Sequence, residues 1–447
     1  MDTQDKDRSE QRINDPEKIP SEAPVAITPL APPRLSNEAV KPPGPGPPPN
    51  GGTKAWLQVL GAFFLNFNTW GLVNTFGVFQ SYYATTLLRS SSESDISWIG
   101  SIQAFIMLAM GVVCGRALDA GYFYTELGLG VFLEVFGLMM TSLCTEYWQA
   151  VLAHGLAVGL GTSLAFMPGV SIAGTYFSTR RSTAMGILAT GSCIGGIIYP
   201  LVLKHLIAEI GFPWAVRVMA FIVLATMLIS LAVMKPRLPP RKSGPLVNVR
   251  AFTDPPFTLW LAAVFLTMIG LYIPFFYVEQ FALSIGVDPD LASYMVIIMN
   301  AASMPGRLFP SMIADRAGNL NIMIPSVLLS GVIMLAWTRI ETQGALIAVS
   351  ILFGFSSGAI QAVLPPSVAF LMPDLSQLGT NLGITLFSAA FGVLIGNPVA
   401  GAILGHQSTA NLEFPHMFIF AGVVVLLGGL LFMGVRTLKV GLSLNKA

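Results

Sequence analysis

Apolar residues come along this chain in blocks of about twenty, separated by short connections rich in Gly, Pro and charge. A helix rises about 1.5 Å per residue, so roughly 20 apolar residues are needed to cross a hydrocarbon core of ~30 Å. Twelve blocks reach that length, at 56–80, 97–117, 124–144, 147–170, 183–206, 214–234, 258–282, 291–313, 321–339, 344–367, 379–404 and 415–435. None shows the period-two alternation of a transmembrane barrel. The pattern predicts an all-α membrane protein of twelve transmembrane helices, several with Pro or Gly inside, which membrane helices tolerate.

The polar positions inside these blocks are the candidate chemistry. The first span carries Asn66, Asn68, Thr69, Asn74 and Thr75, an unusual density of amides and hydroxyls for lipid surroundings. The eighth carries Asn300, Ser303 and Arg307. A charge at mid-helix costs roughly 2.5–3.5 kcal/mol on insertion scales, so it normally faces a cavity or a partner. Arg307 reads either as a cation for a carboxylate or enolate substrate, or as a structural arginine paired with Asp315 or snorkelling outward. Asn74, Asn300 and Ser303 are expected to line the same pathway. Glu134, set among Phe132, Leu133, Val135 and Phe136, is a candidate proton site, the alternative being a hydroxyl or basic partner on a neighbouring helix. His154 is a second candidate, since imidazole titrates near neutrality in water, with a packing histidine as the alternative.

Four landmarks recur at one offset. Gly161, Pro168, Gly186 and Gly195 are each followed, 197 residues on, by Gly358, Pro365, Gly383 and Gly392. These fall in the fourth and fifth spans of one half and the tenth and eleventh of the other. A charged, Pro-rich stretch at 235–256 separates the halves as a linker. The expected layout is a tail over 1–52, a six-helix bundle over 53–234, a second over 257–435, and a C-terminal tail over 436–447. Parallel halves of this kind are how many secondary transporters are built. Ala184, Gly186, Gly191 and Gly195 put small residues at about one-turn spacing on the fifth span, which lets helix backbones approach closely.

Composition sharpens this picture. Charged residues make up 11% of the chain and its mean hydropathy is +0.69, against about 25% charge in soluble domains. A net charge of +1 gives no field to attract nucleic acid. Cys114, Cys144 and Cys193 lie singly in apolar blocks, without metal-ligand or disulfide spacing. With no nucleotide loop, catalytic triad or metal cluster in the sequence, neither an enzyme nor a cofactor is expected, and transport must run on an ion or substrate gradient. Twelve of the 31 prolines fall in the first fifty residues, so that stretch is expected to be a disordered tail. No cleavable leader opens the chain, which leaves the first span as its own insertion signal. Lys and Arg set the orientation. Thirteen, from Lys54 through Arg116, Arg180, Arg181 and Arg316 to Lys446, fall on the side of the N-terminus, and three, Arg89, Lys204 and Arg339, on the other. Both ends are therefore expected to be cytoplasmic, in a multi-pass protein of the plasma membrane. Arg180, Arg181, Asp315 and Arg316 lie in equivalent loops of the two halves and are expected to act as gate residues, or only to set topology.

Tyr176-Phe177, Arg180-Arg181, Ala184, Gly186, Gly191 and Gly195 resemble the fifth-helix signature of the monocarboxylate-transporter family of the major facilitator superfamily, in its fungal branch. Asn50 to Trp56 is similar to that family's first-helix signature, with Asn50 where an acid is usual. Asp315-Arg316-Ala317-Gly318 is similar to the superfamily's loop motif. The resemblance covers about 50–440. It implies a transporter of small organic acids, often with a proton, or an exporter of a secondary metabolite. In two places the chain departs from the acid carriers: Ser303 stands where they have an Asp four residues before the Arg, and Asn74 where they have a Lys. These changes tilt the expectation toward an exported anion or amphipathic metabolite. The alternatives are proton-coupled monocarboxylate uptake and a transport-incompetent sensor signalling through its Pro-rich tail.

Overall fold

In the computed structural model, which describes residues 48–177, 180–239, 253–371, 378–404 and 414–441, the polypeptide is a succession of long helices. Helix α1 spans Gly52–Tyr82. Helix α2 is built of Glu93–Ala109 and Gly111–Asp119, α3 of Phe123–Thr141 and α4 of Tyr147–Thr175. A single helical run, Arg181–Val233, contains α5 (181–210) and α6 (212–233). Between them Gly211 takes φ 79°, a left-handed conformation that glycine adopts at little cost, and Pro213 follows at once. The chain reverses there. Gly195 of α5 lies against Gly71 of α1, whereas Thr226 and Ser230 of α6 return to Asn68 and Gly61.

The second half repeats the plan. Helix α7 is Pro255–Leu271 and Ile273–Ser284, interrupted at Tyr272. It is followed by α8 (Pro289–Ala317), α9 (Asn319–Trp337), α10 (Gln343–Leu371), α11 (Leu378–Leu404) and α12 (Phe414–Val440). Gly318, at φ 98°, makes the tight turn from α8 to α9. Among the described residues nine helices are long and apolar enough to cross a membrane, and the run holding α5 and α6 counts once among them. Helices α1 and α8 complete the twelve. They fall outside that group because of the amides and the arginine in their interiors, and these are the helices that carry the candidate site.

Helix ends extend past the apolar blocks. Helix α2 starts at Glu93, before the expected 97, because a Ser92–Asp95 capping box satisfies its first amides: Asp95 N donates to Ser92 Oγ at 3.0 Å and Ser92 N to Asp95 Oδ2 at 3.2 Å. Helix α12 continues to Val440, past the expected bundle limit at 435, and Arg436 within that extension donates to Asn321 Oδ1 at 2.6 Å. Helix α7 starts at Pro255, ahead of 257. Hydropathy registers the lipid-facing part of a helix and is blind to its polar overhang. Most of the expected N-terminal tail, the linker core at 240–252 and the end of the C-terminal tail lie outside the described residues.

All described residues belong to one compact unit, 45–447. Within it, α1–α6 pack together and α7–α12 pack together, and two main seams, α5 with α8 and α2 with α11, join the halves, with α1 also touching α7 and α8. The repeated glycines explain the shared offset. A Cβ on Gly195 would lie 2.2 Å from Phe67 O of α1, and one on Gly392 would lie 2.6 Å from Phe265 O of α7. Gly186 faces Arg307 O across one seam, as Gly383 faces Val112 across the other. The pair Gly161 and Gly358 breaks the symmetry: the first abuts Glu134 of α3, the second Ser303 of α8. At the end of the molecule bearing residues 48 and 441, here the terminal end, the two signature segments meet. Asn50 N donates to Tyr176 O at 3.0 Å, Tyr176 Oη donates to Lys235 O at 2.9 Å, and Trp56 packs edge-on against Phe177 at 5.3 Å.

Candidate functional site

Asn74, Asn300, Ser303 and Arg307, expected along one pathway, are brought together where the halves meet. Asn74 Nδ2 of α1 donates to Asn300 Oδ1 of α8 at 3.1 Å, and Asn300 Nδ2 donates to Val296 O at 3.0 Å. Ser303 Oγ donates to Asn300 O at 2.9 Å and lies 3.1 Å from Cys193 Sγ of α5. Gly196 leaves the room that the Asn300 amide occupies, since a Cβ there would lie 2.6 Å from it. Asn74 Oδ1 is left without a hydrogen-bond partner among the described residues.

Arg307, two turns further along α8, is 3% exposed, which excludes the snorkelling arrangement. Its Nη1 donates to Ala189 O at 2.7 Å and to Ser192 Oγ, both on α5, and its Nη2 donates to Gln361 Oε1 of α10 at 2.8 Å. All three acceptors are neutral, and no carboxylate is among its hydrogen-bond partners in the described residues. Two donors at this spot, Arg307 Nε and Gln361 Nε2, remain unpaired there. Removing a guanidinium from water is costly unless an anion or several dipoles replace its hydration. Among the described residues, dipoles hold it in place and no counter-ion pairs with it. The Asp315 arrangement expected as an alternative is replaced by this one: Asp315 Oδ2 accepts from Thr183 Oγ1 of α5 at 3.3 Å, closer to the terminal end.

Two aromatic residues join the halves beside this seam, and sequence reasoning missed both. Trp70 of α1 and Tyr272 of α7 stack at 5.6 Å with planes 13° apart, one ring from each half. Tyr272 sits at the break in α7, within electrostatic reach of Arg307. Among 29 Phe, 10 Tyr and 7 Trp nothing in the sequence marks these two. Gln361 and Ser192 were also missed. Gln361 had a signal, being a lone amide in an apolar block, the same feature that singled out Asn74.

The candidate proton sites lie inside the first half, away from Arg307. Glu134 is fully buried on α3, and neither carboxylate oxygen has a hydrogen-bond partner among the described residues. Tyr199, whose hydroxyl donates to Asn68 Oδ1, is within its electrostatic reach. His154 lies in a π-helical stretch of α4, Val151–Val158. Its Nδ1 is 3.2 Å from Tyr83 Oη, and Phe76 and Phe79 pack edge-on against its ring. Among the residues expected at a gate, Arg180 and Arg316 are exposed, and the side chain of Arg181 lies outside the described residues.

Comparison with known proteins bears on the family and the fold. The Major Facilitator Superfamily model matches residues 59–338 and 261–446. The MFS-type transporter dbaD of Emericella nidulans is 43% identical over 85% of this chain and 85% of its own length. The aspyridones efflux protein apdF of the same organism is 36% identical over 89% of this chain and 81% of its own. Among solved structures, the nucleoside transporter NupG superposes with a TM-score of 0.66 at 17% identity, covering 85% of this chain and 99% of that one.

Proposed function

The chain belongs to the major facilitator superfamily, and from that premise we propose that it is a secondary active exporter of an acidic secondary metabolite, working by alternating access. It is a multi-pass membrane transporter, not an enzyme. The observation that carries the reading is Arg307, a desolvated cation at the junction of α5, α8 and α10 whose hydrogen-bond partners among the described residues are all neutral. An anion arriving there would supply the missing charge and compete with Ala189 O and Ser192 for the guanidinium. Breaking those bonds frees α8 from α5, which is how binding would favour one access state over the other. The similarity to a protein named for efflux of aspyridones supports the direction of transport.

The uptake reading of the monocarboxylate carriers fits less well. Ser303 donates to a main-chain carbonyl and Asn74 to Asn300 where those carriers have an Asp and a Lys. Proton coupling belongs to the proposal through Glu134, whose buried carboxyl has a proton as its available partner among the described residues. His154, already engaged with Tyr83, is the second candidate. The proposal places both termini in the cytoplasm and the protein in the plasma membrane, with Thr183 and Asp315 closing the cytoplasmic gate.

Paired strains with and without the gene test this directly, by profiling metabolites inside the cells and in the medium. An acidic compound that builds up inside and falls outside on deletion is the expected result. Depletion of an acid inside the cells on deletion would instead establish uptake.

A further inference from the structure

Resting on the anion reading of Arg307, we infer that the substrate is flat and conjugated: an organic anion whose ring system lies against Trp70 and Tyr272 while its acidic group meets Arg307 and Gln361. Asn74 and Asn300 are hydrogen-bonded across the halves, with Trp70 one turn from the first on α1 and Arg307 two turns from the second on α8. This part of the junction therefore offers two kinds of chemistry. One is a set of unused polar atoms, Arg307 Nε and Gln361 Nε2. These are N–H donors on planar groups, and they suit a carboxylate or enolate presenting its oxygens in one plane. The other is aromatic faces. Trp70 and Tyr272 stack nearly parallel, and each is buttressed from the side, Trp70 by Phe166 at 5.9 Å and 82°, Tyr272 by Phe275 at 6.2 Å.

The placement of that stack is what makes it more than core packing. Its two rings come from different halves, α1 and α7, so any motion that separates the halves parts them and bares both faces. Tyr272 is carried on the interruption between the two pieces of α7, with Pro274 restarting the helix. Its backbone is thus freer to follow a ligand than a mid-helix residue would be. A flat ring inserted beside Trp70 replaces one aromatic contact with another, whereas a flexible chain loses its own rotamer entropy and gains no stacking. A flat anion therefore exploits both the ring faces and the guanidinium, and it bridges the halves while doing so.

The test uses the full chain in detergent for binding and in proteoliposomes for competition, with three probes: 2-naphthoate, flexible nonanoate and neutral 2-naphthamide. The inference expects 2-naphthoate to bind about tenfold or more tighter than nonanoate. It expects Trp70→Leu and Tyr272→Ala to erase that preference, while Trp70→Phe and Tyr272→Phe, which keep a ring, retain most of it. Arg307→Gln should remove the preference for 2-naphthoate over 2-naphthamide. Equal binding of 2-naphthoate and nonanoate, both lost in Arg307→Gln, would overturn the flat-substrate inference and leave the anion reading standing. Binding indifferent to Arg307→Gln, or no binding of either acid, would overturn both. A preference that survives both Trp70→Leu and Tyr272→Ala would overturn the assignment of the ring to this stack.

Discussion

The two seams that join the halves are built of different materials. Along α5 and α8 polar contacts recur from end to end: Thr183 with Asp315, Arg307 with Ala189 and Ser192, Cys193 with Ser303, and Lys204 with Asp290 at 3.3 Å. Along α2 and α11 they are largely apolar. Phe105 meets Phe391 edge-on at 5.2 Å and Val112 fills the space before Gly383, with Ser94 Oγ donating to Pro398 O near the end away from the termini. Directional bonds in a low-dielectric interior are either made or broken, whereas apolar side chains slide by small steps. Under the proposed function, the polar seam is therefore where a substrate would switch the molecule between discrete states, and the apolar seam is where the halves would roll.

The strongest way to break that comparison is to fix the polar seam. Ser303→Cys puts a thiol where an oxygen now sits 3.1 Å from Cys193 Sγ. Oxidation of that variant should form a cross-link that stops flux outright, and reductant should restore it, as read by transport in proteoliposomes. Full flux in the cross-linked protein would show that α5 and α8 need not separate.

A smaller effect compares one added methyl on each seam. In Gly196→Ala the Cβ would lie 2.6 Å from an Asn300 amide held by Asn74 and Val296, so the neighbour cannot yield. Thermal melting in detergent should register a loss of about 1–3 kcal/mol, the usual cost of overpacking. In Gly383→Ala the contact is 3.0 Å to a Val112 methyl that can shift, and the loss should be well under that. The smallest effect belongs to Asp290→Asn. Its carboxylate is 88% exposed, so its pair with Lys204 contributes about 0–1 kcal/mol and melting should barely move.

The fold was legible because membrane spans declare themselves by length. The repeat was legible because glycines at close helix crossings cannot be replaced freely. Arg307, Asn74 and Asn300 were legible for a related reason, since a polar group in lipid needs a partner and its presence in an apolar block is already a question. The sequence could not supply the answers. A main-chain carbonyl such as Ala189 O carries no residue signature, so the acceptor that holds Arg307 was invisible. Trp70 and Tyr272 look like any other aromatic residues until the packing sets them face to face across the halves. Glu134 and His154 appeared similar as isolated titratable residues. The structure separates them: His154 has Tyr83 beside it, and Glu134 has no hydrogen-bond partner among the described residues.

The most direct test of the central claim is flux of the acid identified from the paired strains, measured in proteoliposomes for the parent protein, Arg307→Lys and Arg307→Gln. Arg307→Lys keeps the charge but not the planar fork and should retain a fraction of the rate. Arg307→Gln should lose the anion, by about a hundredfold or more, with the melting temperature recording whether the fold survives. Parent-level flux in a folded Arg307→Gln protein would contradict the account.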